Sequence, residues 1–390
     1  MSNNIPKLRF PGFTGEWEEK KLGNCLEERN EQFPEDDNYP LMAFVAWKGV
    51  SPKGERFDRS ALVKDAANKK YKRTELGDFI YSSNNLESGS IGFNTFGSAC
   101  ISPVYSIFKP KNNSIPAFIG TLLTQKSFIA EMVKYRQGVV YGQWKIPESE
   151  FLKIKVFIPS LPEQQKIAGF LTEMDNHIAA QGEKVEALKE KKKGLMQQLF
   201  PQPGQNTPQL RFPGFTGEWE EKKLGEVVSV NRGVRVTRKD LTEKGIYPVF
   251  QNTNSPMGYY DLYNVSANNP FVIIGGSAGV MGFCRTNFWA ADDCAYFGDS
   301  KLLDKYFLYS TLLLHEKDIK NNVRGGNIPR IDRNSIEKLK ISLPSLPEQE
   351  KIAGFLTEMD NLIASESEKL ESLKNHKKGL MQQLFPQPEK

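Results

Sequence analysis

Sulfur and imidazole are scarce in this chain of 390 residues, which has four cysteines (Cys25, Cys100, Cys284, Cys294) and three histidines (His177, His315, His376). The cysteine spacings match no zinc-ligand pattern, so a metal centre is not expected. A few scattered thiols fit a reducing compartment. No apolar run approaches the roughly 20 residues that cross a bilayer, and MSNNIPKLRF lacks the charged-then-apolar pattern of a leader. These absences point to a cytoplasmic protein. A Walker A loop is missing. GGSAGVMG (Gly275–Gly282) is not G-x-G-x-x-G, and FCRTNFW after it is not an amphipathic helix, so it reads as a tight turn between strands. Asn269-Pro270-Phe271 has one proline where the base-holding loop of amino-methyltransferases has two. Glu-x-Lys triplets such as Glu190-Lys191-Lys192 follow no Pro-Asp pair, so the nuclease arrangement is absent as well. No catalytic constellation is expected.

Repetition is present instead. LRFPGFTGEWEEKKLG occupies Leu8–Gly23 and recurs letter for letter at Leu210–Gly225. Ser160–Gln202 and Ser345–Gln387 are 43-residue blocks that match at 34 positions. Between these blocks lie two inserts, Asn24–Pro159 and Glu226–Pro344, of 136 and 119 residues, that share almost nothing. A frame kept constant around divergent inserts implies one scaffold presenting two recognition surfaces.

The 43-residue blocks read as helices. Ser160 with Glu163, and Ser345 with Glu348, have the S-x-x-E spacing of a capping box. Apolar residues then alternate at spacings of four and three: Ile167, Leu171, Met174, Ile178, Val185, Leu188, Leu195, Leu199. The second copy has Ile352, Leu356, Met359, Ile363, Leu370, Leu373, Leu380, Leu384. This is a heptad seam, interrupted by Gln181 and Lys192 in one copy and by Glu366 and Lys377 in the other. Each helix should run about 38 residues, roughly 55 Å. So narrow a seam needs a partner, and the other copy is the nearest. The short connection Pro201–Gln209 favours antiparallel helices; the alternative is that each helix packs on its own insert.

The fold class expected is α+β: two mixed α/β domains joined by two long antiparallel helices in a pseudo-two-fold arrangement. The segments are 1–159 (with the box 8–23), a helix 160–200, a linker 201–209, a second domain 210–344 (with the box 210–225) and a helix 345–385. Both inserts place cations beside aromatic and amide side chains, as phosphate contact and base readout require. Candidate DNA-binding residues in the first are Lys53, Arg56, Lys70, Lys72 and Arg73, then Arg136, Gln137, Tyr141, Gln143 and Lys145 beside Trp144. In the second they are Arg232, Arg235, Arg238 and Lys239, then Gln251, Asn252 and Asn254, and Arg324, Asn327 and Arg330. For any one of these a solvated surface is the ordinary reading; the clusters together favour nucleic acid. Net charge is only +5.

With its paired LPEQQKIAGFLTEMD and LPEQEKIAGFLTEMD helices, paired GEWEEKKLG boxes and dissimilar inserts, the chain resembles the specificity (S) subunit of type I restriction–modification systems. The resemblance covers essentially the whole chain. It implies that each insert is a target recognition domain reading one half of a split double-stranded DNA site, with the helices setting the unread gap. It implies no catalysis and no cofactor in this chain. Two methyltransferase (M) subunits would bind S-adenosylmethionine and methylate adenine, and restriction (R) subunits would use ATP and Mg2+. The competing reading is a non-catalytic DNA-binding or coiled-coil scaffold of another kind.

Overall fold

The structure, a computed structural model, describes residues 4–52, 69–140, 143–242, 244–325 and 329–386. Two helices of 39 residues, Leu161–Leu199 and Leu346–Leu384, are the longest elements. The chain forms two compact units: Met1–Ala180 with Leu370–Lys390, and Gln181–Lys369. The division therefore falls inside both long helices rather than at their ends. Each unit holds one insert, the first half of the helix that follows it, and the last half of the other helix.

The first unit is built on an antiparallel four-stranded sheet in the order Leu26–Glu28, Ser106–Pro110, Phe79–Tyr81, Ile91–Phe93. Phe79–Tyr81 is buried at every position, as a central strand covered on both faces should be. Helices Pro116–Leu123 and Lys126–Val133 contribute Phe118, Ile119, Leu123 and Met132 to the core. A smaller sheet joins Gln32–Phe33, Tyr71–Thr74 and Ala99–Ile101.

In the second unit the corresponding sheet runs Val230–Arg232, Cys294–Phe297, Asn269–Ile273, Met281–Cys284, again antiparallel. Its smaller sheet joins Gly258–Tyr260, Tyr247–Phe250 and Trp289–Ala290. Helices Lys305–Leu314 and Glu316–Asn321 follow. The order of strands along the chain and across the four-stranded sheet is the same in both units, whereas the smaller sheets differ: Tyr247–Phe250 pairs in parallel with Trp289–Ala290, and the first unit's smaller sheet is antiparallel throughout. GGSAGVMG forms the turn from Asn269–Ile273 into the antiparallel Met281–Cys284. Gly282 is required there, because a Cβ would lie 2.2 Å from the Phe271 ring.

The repeated boxes do the same work in each unit. Glu18–Lys21 pairs with Lys155–Ile158, and Glu220–Lys223 with Lys340–Leu343, so each box is stitched to the strand that leads into its helix. Arg9 donates Nε and Nη2 to the two carboxylate oxygens of Glu163 at 2.7 and 2.8 Å. Arg211 grips Glu348 in the same way, at 2.8 Å for both bonds. Each glutamate is 2% exposed. Neither accepts from its serine N–H among the described hydrogen bonds, so the S-x-x-E spacing serves a fork to the box rather than the reciprocal cap expected from sequence. The buried carboxylate has a better partner in a guanidinium than in an amide. Gln164 and Gln349 add a second tie: their side-chain oxygens accept from the N–H of Ile115 and Asp304, each at 3.0 Å.

Each core is completed by the end of the other helix. Phe385 packs on Trp17 and Phe118, with centroids 6.1 and 5.5 Å apart. Phe200 packs on Trp219 and Phe307, at 5.9 and 5.0 Å. Leu8 N–H donates to Gln383 and Leu210 N–H to Gln198, which ties each box to that helix end. Ile167 and Leu171 enter the first core with Leu384, while Ile352 and Leu356 enter the second with Met196 and Leu199. The helix halves are therefore antiparallel within each unit. The seam residues Met174, Ile178, Leu188, Leu195, Met359, Ile363, Leu373 and Leu380 are half-buried, whereas the outermost ones are buried in the insert cores. A helix start thus packs both on its own insert and on the other helix, two arrangements that the sequence reading set against each other.

Breaking one fork leaves a buried carboxylate without its counter-charge. Arg9→Ala should cost about 3 kcal/mol of stability, and Arg211→Ala the same. Because the two forks share no partners, the double variant should lose the sum. Urea unfolding of the three variants tests this; costs near zero would show that the forks are dispensable.

Candidate nucleic-acid interface

In both units the late loop is a narrow hairpin laid against the turn that follows a central strand. In the first, Gln137–Val140 pairs with Gln143–Lys145. The turn after Phe79–Tyr81 holds it: Asn84 Oδ1 accepts from Trp144 N–H at 2.6 Å and Ser83 Oγ from Ile146 N–H at 3.0 Å. In the second, Arg324 and Arg330 exchange backbone hydrogen bonds of 2.7 and 2.8 Å. Ile331 N–H donates to Ile274 and Gly276 N–H to Pro329, each at 3.0 Å.

A hollow of 730 Å³ opens beside the first hairpin. Gln137, Trp144 and Lys145 line it, with Lys72, Asn30, Gln32 and Asn84 around them. Trp144 is 45% exposed, an aromatic face at the rim of an amide-lined hollow. The cations predicted for this unit divide into two groups. Lys72 is buried and donates Nζ to the Tyr105 carbonyl at 3.0 Å. Arg73 lies between the rings of Phe33 and Tyr39, 4.3 and 4.1 Å from their centroids, and pairs with Asp36 at 2.6 Å. Arg136 donates to both carboxylate oxygens of Glu87, at 2.8 and 2.6 Å, and to the Ser83 carbonyl at 2.9 Å. Its guanidinium holds the Glu87 carboxyl below the usual carboxylate range. These three side chains hold the fold in place. Lys70, Gln137 and Lys145 are exposed, and Gln143 lies in the hairpin strand. Lys53, Arg56 and Tyr141 lie outside the described residues.

In the second unit the loop from Arg232 to Asp240 is pinned along its length. Gly233 N–H donates to Cys294 and Val234 N–H to Ala290, while Trp289 Nε1 donates to the Val234 carbonyl. Thr237 donates both N–H and Oγ to Asp240 Oδ2, at 2.7 Å each. Asp240 is held below its usual range by those bonds. Val236 is buried beneath, so Arg235, Arg238 and Lys239 face outward on a fixed backbone. Arg235, Arg238, Gln251 and Asn252 share a hollow of 280 Å³. Arg232 donates to the Asp292 carbonyl at 2.7 Å, and Gln251 reaches the Asp292 carboxylate at 3.5 Å. Asn254, Arg324 and Arg330 are exposed. Asn327 lies outside the described residues.

Asn30, Gln32 and Asn84 were not singled out from the sequence. Nor were Asp292 and Asp293, which take Arg232 on a backbone carbonyl and Arg330 on a carboxylate. A run such as ISPVYS or ADDCAY carries no sign that its turn will face the late hairpin. Fixed cations, amides and an exposed indole suit phosphate contact and base readout. Among the described residues no group of histidine, cysteine and carboxylate side chains could hold a metal ion, and no helix is long and apolar enough to cross a membrane.

A family model for the type I restriction modification DNA specificity domain matches residues 14–190 and 216–375. The MjaVIII type I restriction enzyme specificity subunit of Methanocaldococcus jannaschii is 28% identical over 187 residues, 45% of this chain and 43% of that relative. The chain thus aligns with less than half of that relative's length. The putative MjaX specificity subunit of the same organism is 22% identical over 417 residues, covering 98% of this chain and 96% of the relative. The crystal structure of a type I restriction–modification S subunit from M. genitalium has the same fold: TM-score 0.68 at 15% identity, covering 98% of this chain and all of that one.

The division of the arginines has a measurable consequence. Arg73→Ala should lower stability by about 1–2 kcal/mol, from two lost cation–π contacts and an ion pair. Arg235→Ala, on an exposed side chain with no partner among the described residues, should change it by under about 0.5 kcal/mol. Thermal melts of the two variants distinguish them, and equal losses would overturn the division.

Proposed function

This chain belongs to the type I restriction modification DNA specificity family, and from that premise we propose that each of its two units reads one half of a split duplex site. The paired helices set the unread gap between the halves. The chain itself carries no catalysis. It acts in a cytoplasmic complex with two copies of a methyltransferase subunit, one for each copy of the repeated frame, and with restriction subunits. S-adenosylmethionine, ATP and Mg2+ belong to those partners.

One observation carries the reading. The same four-stranded sheet order, box and helix fork recur in both units, while most of the side chains at the late hairpin differ. A constant frame with two different reading surfaces corresponds to an asymmetric, two-part target, because half-site spacing follows protein geometry. The modest net charge fits a subunit that shares phosphate contacts with its partners.

Adenine methylation mapped by single-molecule sequencing, in cells that express this chain with its methyltransferase partner, is the direct test. We expect one asymmetric motif of two short halves at a fixed gap. Methylation with no such motif, from a complex shown to assemble, would refute the reading. The role of the helices has its own test. One heptad inserted between Ala180 and Gln181, and another between Lys369 and Leu370, preserves the seam while adding about 10.5 Å. The preferred gap should grow by about three base pairs at 3.4 Å each. If the gap stayed the same, the helices would not be the ruler.

A further inference from the structure

We propose that Arg330, braced by Asp293, reads a guanine in the half-site of the second unit. The assignment rests on the specificity-subunit reading and deepens it from a surface to one side chain and one base.

The backbone of Arg330 is fixed on both sides. It exchanges hydrogen bonds with Arg324, and its neighbours Pro329 and Ile331 bond to the turn at Ile274–Gly276. The side chain is oriented as well, with Nη1 3.4 Å from Asp293 Oδ1. Asp293 packs against Gly275, where a Cβ would lie 2.4 Å from that same oxygen, so glycine leaves the carboxylate its place. The Asp293 side chain is 15% exposed, and this oxygen accepts no hydrogen bond from the described residues. Among the described residues Arg330 is the cation that answers it. Arg330 nonetheless remains 57% exposed. A guanidinium carries five N–H donors on a planar fork, so one nitrogen turned to the carboxylate leaves the other edge free. A free pair of donors, turned outward by the ion pair at the other edge, matches the O6 and N7 acceptors of guanine in the major groove. Adenine presents a donor at N6 in place of O6 and is rejected.

The first unit provides a contrast. Lys145 stands at the corresponding place, immediately before Ile146, with its ammonium 3.8 Å from Glu148 and 71% exposed. An ammonium is a point charge on a flexible stem and cannot present a fork. The braced reader is thus a property of the second unit.

The test is methylation of a randomised duplex library by the complex of this chain with its methyltransferase partner. The wild-type motif should contain a G·C pair in one half whose identity depends on Arg330. Arg330→Ala should make that single position degenerate, with discrimination falling roughly 5- to 150-fold and every other position unchanged. Asp293→Asn should loosen the same position without an equal fall in overall rate, a pattern that general destabilisation does not give. Arg330→Lys keeps the charge but not the fork and should also lose the preference; it carries the test if Asp293→Asn does not fold. A uniform loss across all positions in Arg330→Ala would make the residue a phosphate contact and overturn the assignment. An unchanged motif would overturn it too, while leaving the specificity-subunit reading intact. Wild-type methylation with no motif would remove both.

Discussion

Neither insert closes its own core. The aromatic side chain that seals the first unit, Phe385, immediately follows the second long helix, and the one that seals the second, Phe200, immediately follows the first. Each is fully or almost fully buried against a box tryptophan. Burying a phenylalanine is worth on the order of 2–3 kcal/mol, a large share of the margin by which a domain is stable. The rest of the structure depends on this exchange. Each core is complete as it stands only with residues from both long helices, which run antiparallel within it.

The exchange explains why the frame is repeated so strictly while the inserts are not. The box must match its own insert, the start of one helix and the end of the other at once: Arg9 grips Glu163, while Trp17 packs on Phe118 of the insert and on Phe385 at the end of the other helix. A change at any of these positions breaks contacts in several directions, and the same holds for Arg211 and Trp219. Insert residues outside the few that meet the helices, such as Phe118 and Phe307, answer to their own sheets. A shared strand order with unrelated sequences follows, because strand order is fixed by hydrophobic alternation and connection length, which many sequences satisfy. The surface at the late hairpin carries the least structural duty and is the freest to vary.

The frame was legible in the sequence for the same reason. A heptad seam is a local, periodic signal, and the antiparallel pairing follows from the short connection at Pro201–Gln209. The candidate interface was legible only as clusters. Nothing near Arg73 or Arg136 indicates that Asp36 and Glu87, 37 and 49 residues away, will take up their charge. Nothing near Arg330 announces Asp293. Charge on a loop is a local fact, whereas its neutralisation is a tertiary one. The capping-box reading failed in the same way. The spacing from Ser160 to Glu163 was correct for a cap, but the competing partner, Arg9, lies 154 residues away.

The polar interruptions of the seam show how near-identical repeats can still pair in one way. Lys192 meets Asp360 and Lys377 meets Asp175, so the same pair occurs twice, once from each copy. Such contacts fix the register of an apolar seam that would otherwise tolerate sliding by a heptad. Gln181 and Glu366 are different. They occupy equivalent places in the two copies, yet they face each other, with the Gln181 amide donating to the Glu366 carboxylate at 2.6 Å and Lys184 adding a second cation contact at 2.6 Å. Two antiparallel copies of one sequence would set like against like at this point. Two glutamates there would repel in a half-buried seam; two glutamines would lose the charge-assisted bond. This position is among the nine at which the helical blocks differ, and the difference makes the two helices better partners for each other than either would be for a second copy of itself.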